Sequence, residues 1–220
     1  MTTSQTTRVT AQQLSSDAAA QLGPAGTAWA AIEERVIALQ PTPLDRQPSA
    51  YVRASWEGKA YGSLSAAGLS AAVFESSLFL RLRWLAPEPR LSITDNDVFA
   101  DAAAVLFPMD GVGAELSTMG DEQRPVQAWH WRAGADGAFV VTARGLGTAT
   151  RVPRHSVEAT AEWDHGQWSV VLSRPLSGEG VPLVPGASVP CGVALWCGAR
   201  GERAGLKSHT PGWVTLTLPK

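Results

Sequence analysis

The sequence predicts an all-β protein, an antiparallel β-sandwich with one or two short helices. Three observations carry that prediction. Apolar and polar residues alternate in several segments, as they do where one face of a strand covers a core. The 220 residues include 21 Gly and 15 Pro, against a charged content of only 17%, a balance that favours short strands joined by turns over a long helical bundle. Finally, eight or more strand-like segments with turns between them form the pattern of a sandwich or barrel. A hydrophobic content of 45% suffices for a full core, and all-β folds of this length commonly form one domain.

Residues 1–23 are rich in Thr, Ser, Gln and Ala. They show no strand or helix period and read as a loose N-terminal extension, with residues 24–220 as the folded domain. Residues 27–39 (TAWAAIEERVIAL) have helix-forming composition but run into Pro41 and Pro43, so helix and strand both stay open. Tyr51 to Trp56 reads as a short strand. Val73 to Leu85 contains strict alternation, with Leu78, Leu80, Leu82 and Trp84 on one face and Phe79, Arg81 and Arg83 on the other, the mark of a half-buried strand.

The segment DNDVFADAAAVLF is the best helix candidate. Asp95 or Asp97 can cap it, Phe99, Ala103 and Leu106 stand at helical spacing, and Pro108 ends it. A calcium loop there is a poor fit, because Phe99 takes a ligand position and no glutamate follows at the twelfth. Val126 to Arg132 and Ala138 to Ala143 read as strands split by Gly134 and Gly137. Val157 to Trp163 and Gln167 to Ser173 flank Asp164-His165-Gly166 and make a hairpin. Val189 to Trp196 and Trp213 to Leu218 supply the last strands, on either side of a polar, Gly-containing stretch.

A formal net charge of −2 gives no electrostatic reason to expect nucleic acid or an anionic membrane surface as partner. No run approaches the ~20 apolar residues that cross a bilayer, and Met1 to Thr10 lacks the apolar core of a secretory signal. The chain is expected neither to anchor nor to export itself. Cys191 and Cys197 fall in one apparent strand, roughly 20 Å apart if extended, and read as free thiols. They lack zinc-ligand spacing. There is no G-x-S-x-G elbow, no Walker sequence, no complete dinucleotide fingerprint at Gly145-Leu146-Gly147, and no CxxCH for covalent haem. A noncovalent haem stays possible.

Nine Trp support three readings. Trp129 and Trp131 alternate with His130, so both indoles share a face, which could pack between sheets, line a cofactor pocket or bind a sugar ring. Taken alone, Met119 would be loop or core packing, Lys207 a solvated amine, and the scattered His residues hydrogen-bonded or surface groups.

Two stretches change that balance: STMGDEQRPVQAWHW from Ser117 to Trp131, and GERAGLKS from Gly201 to Ser208. Together they resemble the haem b (gamma) subunits of the type II dimethyl sulfoxide reductase family, which includes ethylbenzene, dimethyl sulfide, selenate and chlorate enzymes. The likeness also takes in Gln40-Pro41-Thr42-Pro43-Leu44, the FADAAAVLFP segment from Phe99 to Pro108, Gly166 to Val170 and Val193 to Trp196. It spans roughly residues 28–218 in order.

The resemblance implies a β-sandwich with haem b held between its sheets, residues 28–39 as strand, and Met119 and Lys207 as the axial iron ligands. It implies electron transfer without substrate chemistry: a relay between the iron–sulfur beta subunit of a complex with a molybdopterin-containing alpha subunit and a soluble partner such as cytochrome c. Trp131, Arg124 and Arg203 become candidates for the haem environment by nearness to the motifs. His209, two residues past Lys207, is an alternative ligand, and histidine is the commoner haem ligand. Met109 lacks the flanking motif and ranks below Met119. Such complexes mostly work outside the cytoplasmic membrane, so a periplasmic site reached by co-export with a signal-bearing partner is expected, with a cytoplasmic complex as the alternative. The competing class is a haem-free carbohydrate-binding module that presents Trp to a sugar.

Overall fold

The computed structural model describes residues 7–15, 21–92, 98–110 and 114–220. Among these, two sheets pack face to face. Numbered in chain order, the larger holds β1 (Arg8–Thr10), β4 (Gln40–Pro41), β7 (Ala102–Pro108), β8 (Val126–Arg132), β9 (Ala138–Ala143), β10 (Thr150–Arg151), β13 (Ser188–Trp196), β14 (Ser208–His209) and β15 (Val214–Thr217). Its order is β1-β15-β13-β7-β8-β9-β10, and β14, itself paired with β4, joins the far end of β13. The smaller sheet holds β2 (Gln12–Leu14), β3 (Arg35–Ala38), β5 (Ala66–Phe74), β6 (Ser77–Leu85), β11 (Glu158–Asp164) and β12 (Gln167–Pro175), in the order β11-β12-β6-β5-β2 with β3 also on β5. The expected sandwich is therefore the observed one.

The space between the sheets is filled. Leu78, Leu80, Leu82 and Trp84 of β6 meet Val105 and Phe107 of β7, Trp129 and Trp131 of β8, and Leu195 of β13 in one buried cluster. Burying an apolar side chain of this size contributes about 1.5–3 kcal/mol. The alternation read in β6 gives the correct face. The β11–β12 hairpin also forms, with Asp164 paired to Gln167. His165 and Gly166 between them have φ of 47° and 79°, which is the two-residue turn whose twist suits a hairpin.

Four expectations need correction. Residues 102–107, expected as helix, lie instead in the central strand β7, hydrogen-bonded to β13 and β8. All seven residues of the strand are buried, because one face joins the core and the other faces a second apolar layer. A strand covered on both sides reads as a continuous apolar run, which periodicity alone does not separate from a helix. The proposed caps Asp95 and Asp97 lie outside the described residues. Residues 51–56, expected as strand, belong to helix α1 (Ala50–Trp56), where Ser49 Oγ accepts the Val52 N–H at 3.3 Å, an N-cap that the strand reading overlooked.

Residues 27–39 divide between a 3₁₀ turn (Thr27–Ala31) and β3. The extension expected to be loose carries two edge strands: β1 runs parallel to β15 and β2 parallel to β5. Val9 and Ala11 are buried there, in the same core cluster. The sheets are thus mixed rather than purely antiparallel. Cys191 and Cys197 are free thiols, as expected. Among the described residues, no helix is long and apolar enough to cross a membrane.

Candidate functional site

The outer face of the larger sheet holds a cavity of about 460 Å³, within the ~300–1,000 Å³ of typical small-molecule sites. Its floor is a strand surface with unusually short side chains: Ala102 and Ala104 on β7 and Ala128 on β8. Larger residues at these three positions would close the hollow. Leu106, Phe139 and Val141 complete an apolar base.

One wall is the loop that carries Met119. Gly120 and Pro125 form an isolated bridge, and Asp121 Oδ1 accepts the N–H groups of Gln123 and Arg124, both at 2.9 Å. A Cβ on Gly120, whose φ is +76°, would stand 2.3 Å from Arg124 O, so the Met-Gly-Asp…Arg-Pro pattern has a steric and hydrogen-bonding cause. Met119 itself has φ of 61°, a left-handed conformation uncommon for a non-glycine residue and costing on the order of 1–3 kcal/mol. Its carbonyl accepts the Gly145 N–H at 3.2 Å. The loop thereby presents the thioether to the cavity.

The facing wall is the segment from Gly198 to Lys207. Glu202 anchors it from below, accepting from Cys197 N (2.9 Å), Ser63 N (3.1 Å) and Ser63 Oγ (3.3 Å). Burial nevertheless holds its pKa above the ordinary carboxylate value. The Gln47 amide packs directly on Gly205, where a Cβ would meet Oε1 at 2.0 Å, and its Nε2 donates to the Gly205 carbonyl at 3.1 Å. The Lys207 carbonyl accepts the Thr42 N–H at 3.0 Å, and Ser208 Oγ accepts the Leu64 N–H at 3.1 Å. The Gln40–Leu44 segment thus clamps the backbone that carries Lys207.

Lys207 lines the cavity and is 1% exposed. Its Nζ lies 5.6 Å from the Trp196 ring centroid and has no hydrogen-bond partner. Burial pulls its pKa down from 10.5 to about 8. His130 also lines the cavity, stacked on Phe139 at 4.3 Å between ring centroids and tilted against Trp196 at 4.9 Å. Burial, with a smaller push from Lys207, lowers its pKa to about 3, so the ring is neutral, and its Nδ1 is unpartnered.

The structure therefore brings Met119, Lys207 and Arg203 to one cavity. It does not bring Trp131 there: that indole lies between the sheets, packed against Trp84 and Trp168. Trp129 is 0% exposed in the same core, so neither indole is available as a sugar platform. Arg124 sits in the turn capped by Asp121 and is not among the lining residues. His209 is buried but does not line the cavity, and its Nδ1 donates to Thr210 O at 2.7 Å. Met109 is 42% exposed and likewise stands outside the lining. Since the core between the sheets is packed with side chains, this cavity lies on the outer face of the larger sheet, not between the two.

Sequence reading missed His130, Trp196, Arg132 and the alanine floor. The signal for His130 was present: the alternation that puts Trp129 and Trp131 in the core puts His130 on the opposite face. Chemically, the cavity offers a soft thioether, a neutral imidazole and an amine whose hold on its proton burial has weakened, in apolar surroundings. Such a set suits a transition metal rather than Mg²⁺ or Ca²⁺.

No profile of a known protein family matches the chain. Curated relatives include the chlorate reductase subunit gamma of Ideonella dechloratans, 41% identical over 63% of this chain and 59% of that protein. The dimethylsulfide dehydrogenase subunit gamma of Rhodovulum sulfidophilum is 36% identical over 62% of this chain and 54% of its own length. A protein of Haloferax mediterranei, provisionally named a respiratory nitrate reductase heme subunit, is 31% identical over 66% of this chain and 54% of its own. The chain thus matches little more than half the length of these relatives. Among solved structures, a protein of Bacteroides uniformis provisionally described as carbohydrate-binding aligns with a TM-score of 0.56 over 97% of this chain and 99% of its own. A family 9 carbohydrate-binding module of Caldicellulosiruptor kristjanssonii aligns with a TM-score of 0.51 over 96% and 93%. Both are 10% identical to this chain, a likeness of fold alone.

Proposed function

The chain belongs to the gamma subunits of the type II dimethyl sulfoxide reductase family, and from that premise we propose that its cavity takes one haem b, with Met119 and Lys207 as axial ligands, for electron transfer. The single observation that carries this reading is the amine of Lys207, buried and without a hydrogen bond in an apolar hollow shared with a thioether. A charged ammonium there would be costly. A neutral amine that gives its lone pair to iron is not.

The chain's own residues prepare that state. Desolvation has already weakened the hold of Lys207 on its proton, and a metal that needs the free amine displaces the rest of it. Met119 contributes a soft ligand that favours ferrous iron and raises the potential. His130 stays neutral and adds no charge beside the site. The alanine floor gives room, while Leu106, Phe139 and Trp196 exclude water. When bound, haem would supply a one-electron iron couple, and with Met119 and Lys207 both holding the iron, no site would remain for oxygen or substrate.

In this reading the chain passes electrons between the iron–sulfur beta subunit of a complex with a molybdopterin-containing alpha subunit and a soluble partner such as cytochrome c. It works in the periplasm after export with its partners. The names of the relatives support the assembly and the haem; the ligand pair rests on the geometry of Met119 and Lys207. Replacing Lys207 and Met119 singly by Ala should lower haem content and change its absorption spectrum. An unaltered six-coordinate spectrum in the Lys207→Ala protein would overturn the amine ligand in favour of His130 or His209.

A further inference from the structure

Gly145-Leu146-Gly147, which fails as a dinucleotide fingerprint, has another use in the fold. It lies in the connection between β9 and β10, and Leu146, Gly147 and Ala149 all line the cavity. Gly145 has φ of 123° and Gly147 of 84°, conformations that L side chains rarely adopt, so the two glycines serve a tight reversal of the chain. Thr148 locks that reversal: its Oγ1 accepts the Arg144 N–H and donates to the Gly145 carbonyl, both at 2.7 Å.

The turn reaches both walls of the cavity. On one side the Gly145 N–H donates to the Met119 carbonyl at 3.2 Å, and Arg144 Nη1 donates to the Glu122 carbonyl at 2.7 Å. On the other, Gly147 faces Pro48, whose Cγ would stand in ordinary contact, 3.4 Å, with an added Cβ. The neighbouring Gln47 is bonded to Gly205 of the Lys207 wall. That wall joins the sheet at β13 through β14, whereas the turn leaves β9, three strands away in the order β13-β7-β8-β9. Three strand spacings amount to roughly 14 Å. The turn and the Pro48 segment therefore meet over β7 and β8, the strands that carry the alanine floor.

We infer that residues 144–149 form a strap that closes over bound haem and holds Met119 at the iron, so that haem leaves only when the strap lifts. The inference rests on the haem reading above and deepens it. Leu146 supplies the apolar cover. Because the Met119 carbonyl is bonded to Gly145, lifting the strap also frees the loop that presents the thioether, and cover and axial ligand act together.

The test measures haem release. The full chain loaded with haem is mixed with excess apomyoglobin, which captures what is released, for the parent and for the Leu146→Ala, Thr148→Val and Thr148→Ser proteins. Leu146→Ala thins the cover. Thr148→Val keeps the shape of the side chain and removes both bonds that lock the turn. Each should release haem on the order of tenfold faster than the parent. Reduced Thr148→Val should also bind carbon monoxide where the parent does not, because Met119 is no longer held. Thr148→Ser restores the hydroxyl and should return both readouts to parental values. Parental release rates in the Leu146→Ala and Thr148→Val proteins overturn the strap, as does a Thr148→Ser protein that behaves like Thr148→Val. A parent that takes up no haem overturns the haem reading and the strap with it.

Discussion

Replacing Lys207 by Met should make the haem-free protein more stable. The amine is 1% exposed, has no hydrogen-bond partner, and has its pKa lowered from 10.5 to about 8. At 1.36 kcal/mol per pKa unit, that difference corresponds to about 3 kcal/mol. The sign follows from proton counting. Between pH 8 and 10.5 the unfolded chain holds the proton that the folded chain has released, so parental stability rises with pH through that window. Below it, both states are protonated and the full penalty is present; above it, the penalty is gone. Met is of similar length and apolar, so it fills the same space without the charge. For a chain of this size, about 3 kcal/mol corresponds to a rise on the order of 6–12 °C in melting temperature.

Circular dichroism melts of haem-free parent and Lys207→Met at pH 7 and pH 9.5 provide the assay. The gain should be largest at pH 7 and roughly halved at pH 9.5. A variant that melts at or below the parent at pH 7 would refute the claim that this amine is held at a cost. The same substitution should weaken haem binding, so the order of stabilities reverses once haem is added. Residues that destabilise the empty fold and are needed by the filled one are expected at functional sites.

Met119→Leu preserves volume, so the haem-free melt should change by less than about 1.5 kcal/mol; redox titration of the loaded variant should show a lower midpoint potential, since the thioether is lost. Ala104→Phe places a ring on the alanine floor. Haem uptake should fall by on the order of tenfold or more, as expected for a site whose contacts are sterically blocked, while the far-ultraviolet spectrum stays parental. Asp101, 2% exposed, accepts from Arg90 N, Trp168 Nε1 and Gly198 N at 2.8–2.9 Å. Asp101→Ala leaves three donors unpaired and should cost at least about 3 kcal/mol in urea unfolding, with Asp101→Asn milder.

The alternation of β6 and the turn at His165-Gly166 were legible because each is a local signal. β7 was not, since a strand buried on both faces carries no polar phase. Whether Ala102 and Ala104 belong to a helix or to the floor of a cavity is decided by β13, β8 and the covering loops, all distant in sequence. The helix at Ala50–Trp56 hung on a single Ser49 cap beside residues that suit strands equally well. At the site, Met119 and Lys207 were found through their flanking motifs, and the structure explains those motifs: Gly120 and Asp121 shape one wall, Glu202 and Gly205 the other. Trp131 was misplaced because nearness along the chain does not specify which face of a strand a side chain occupies, and Arg124 because a place in the turn beside Met119 does not make a residue part of the cavity lining. His130, between two core indoles, shows that one residue of register separates the interior from the cavity.

The central claim is tested most directly by loading the full chain with haem, reducing it and adding carbon monoxide. Uptake of one equivalent, with a six-coordinate spectrum that carbon monoxide leaves unchanged, is the result that the proposed Met119 and Lys207 ligand pair predicts. No uptake, or an iron that readily binds the gas, would contradict the account.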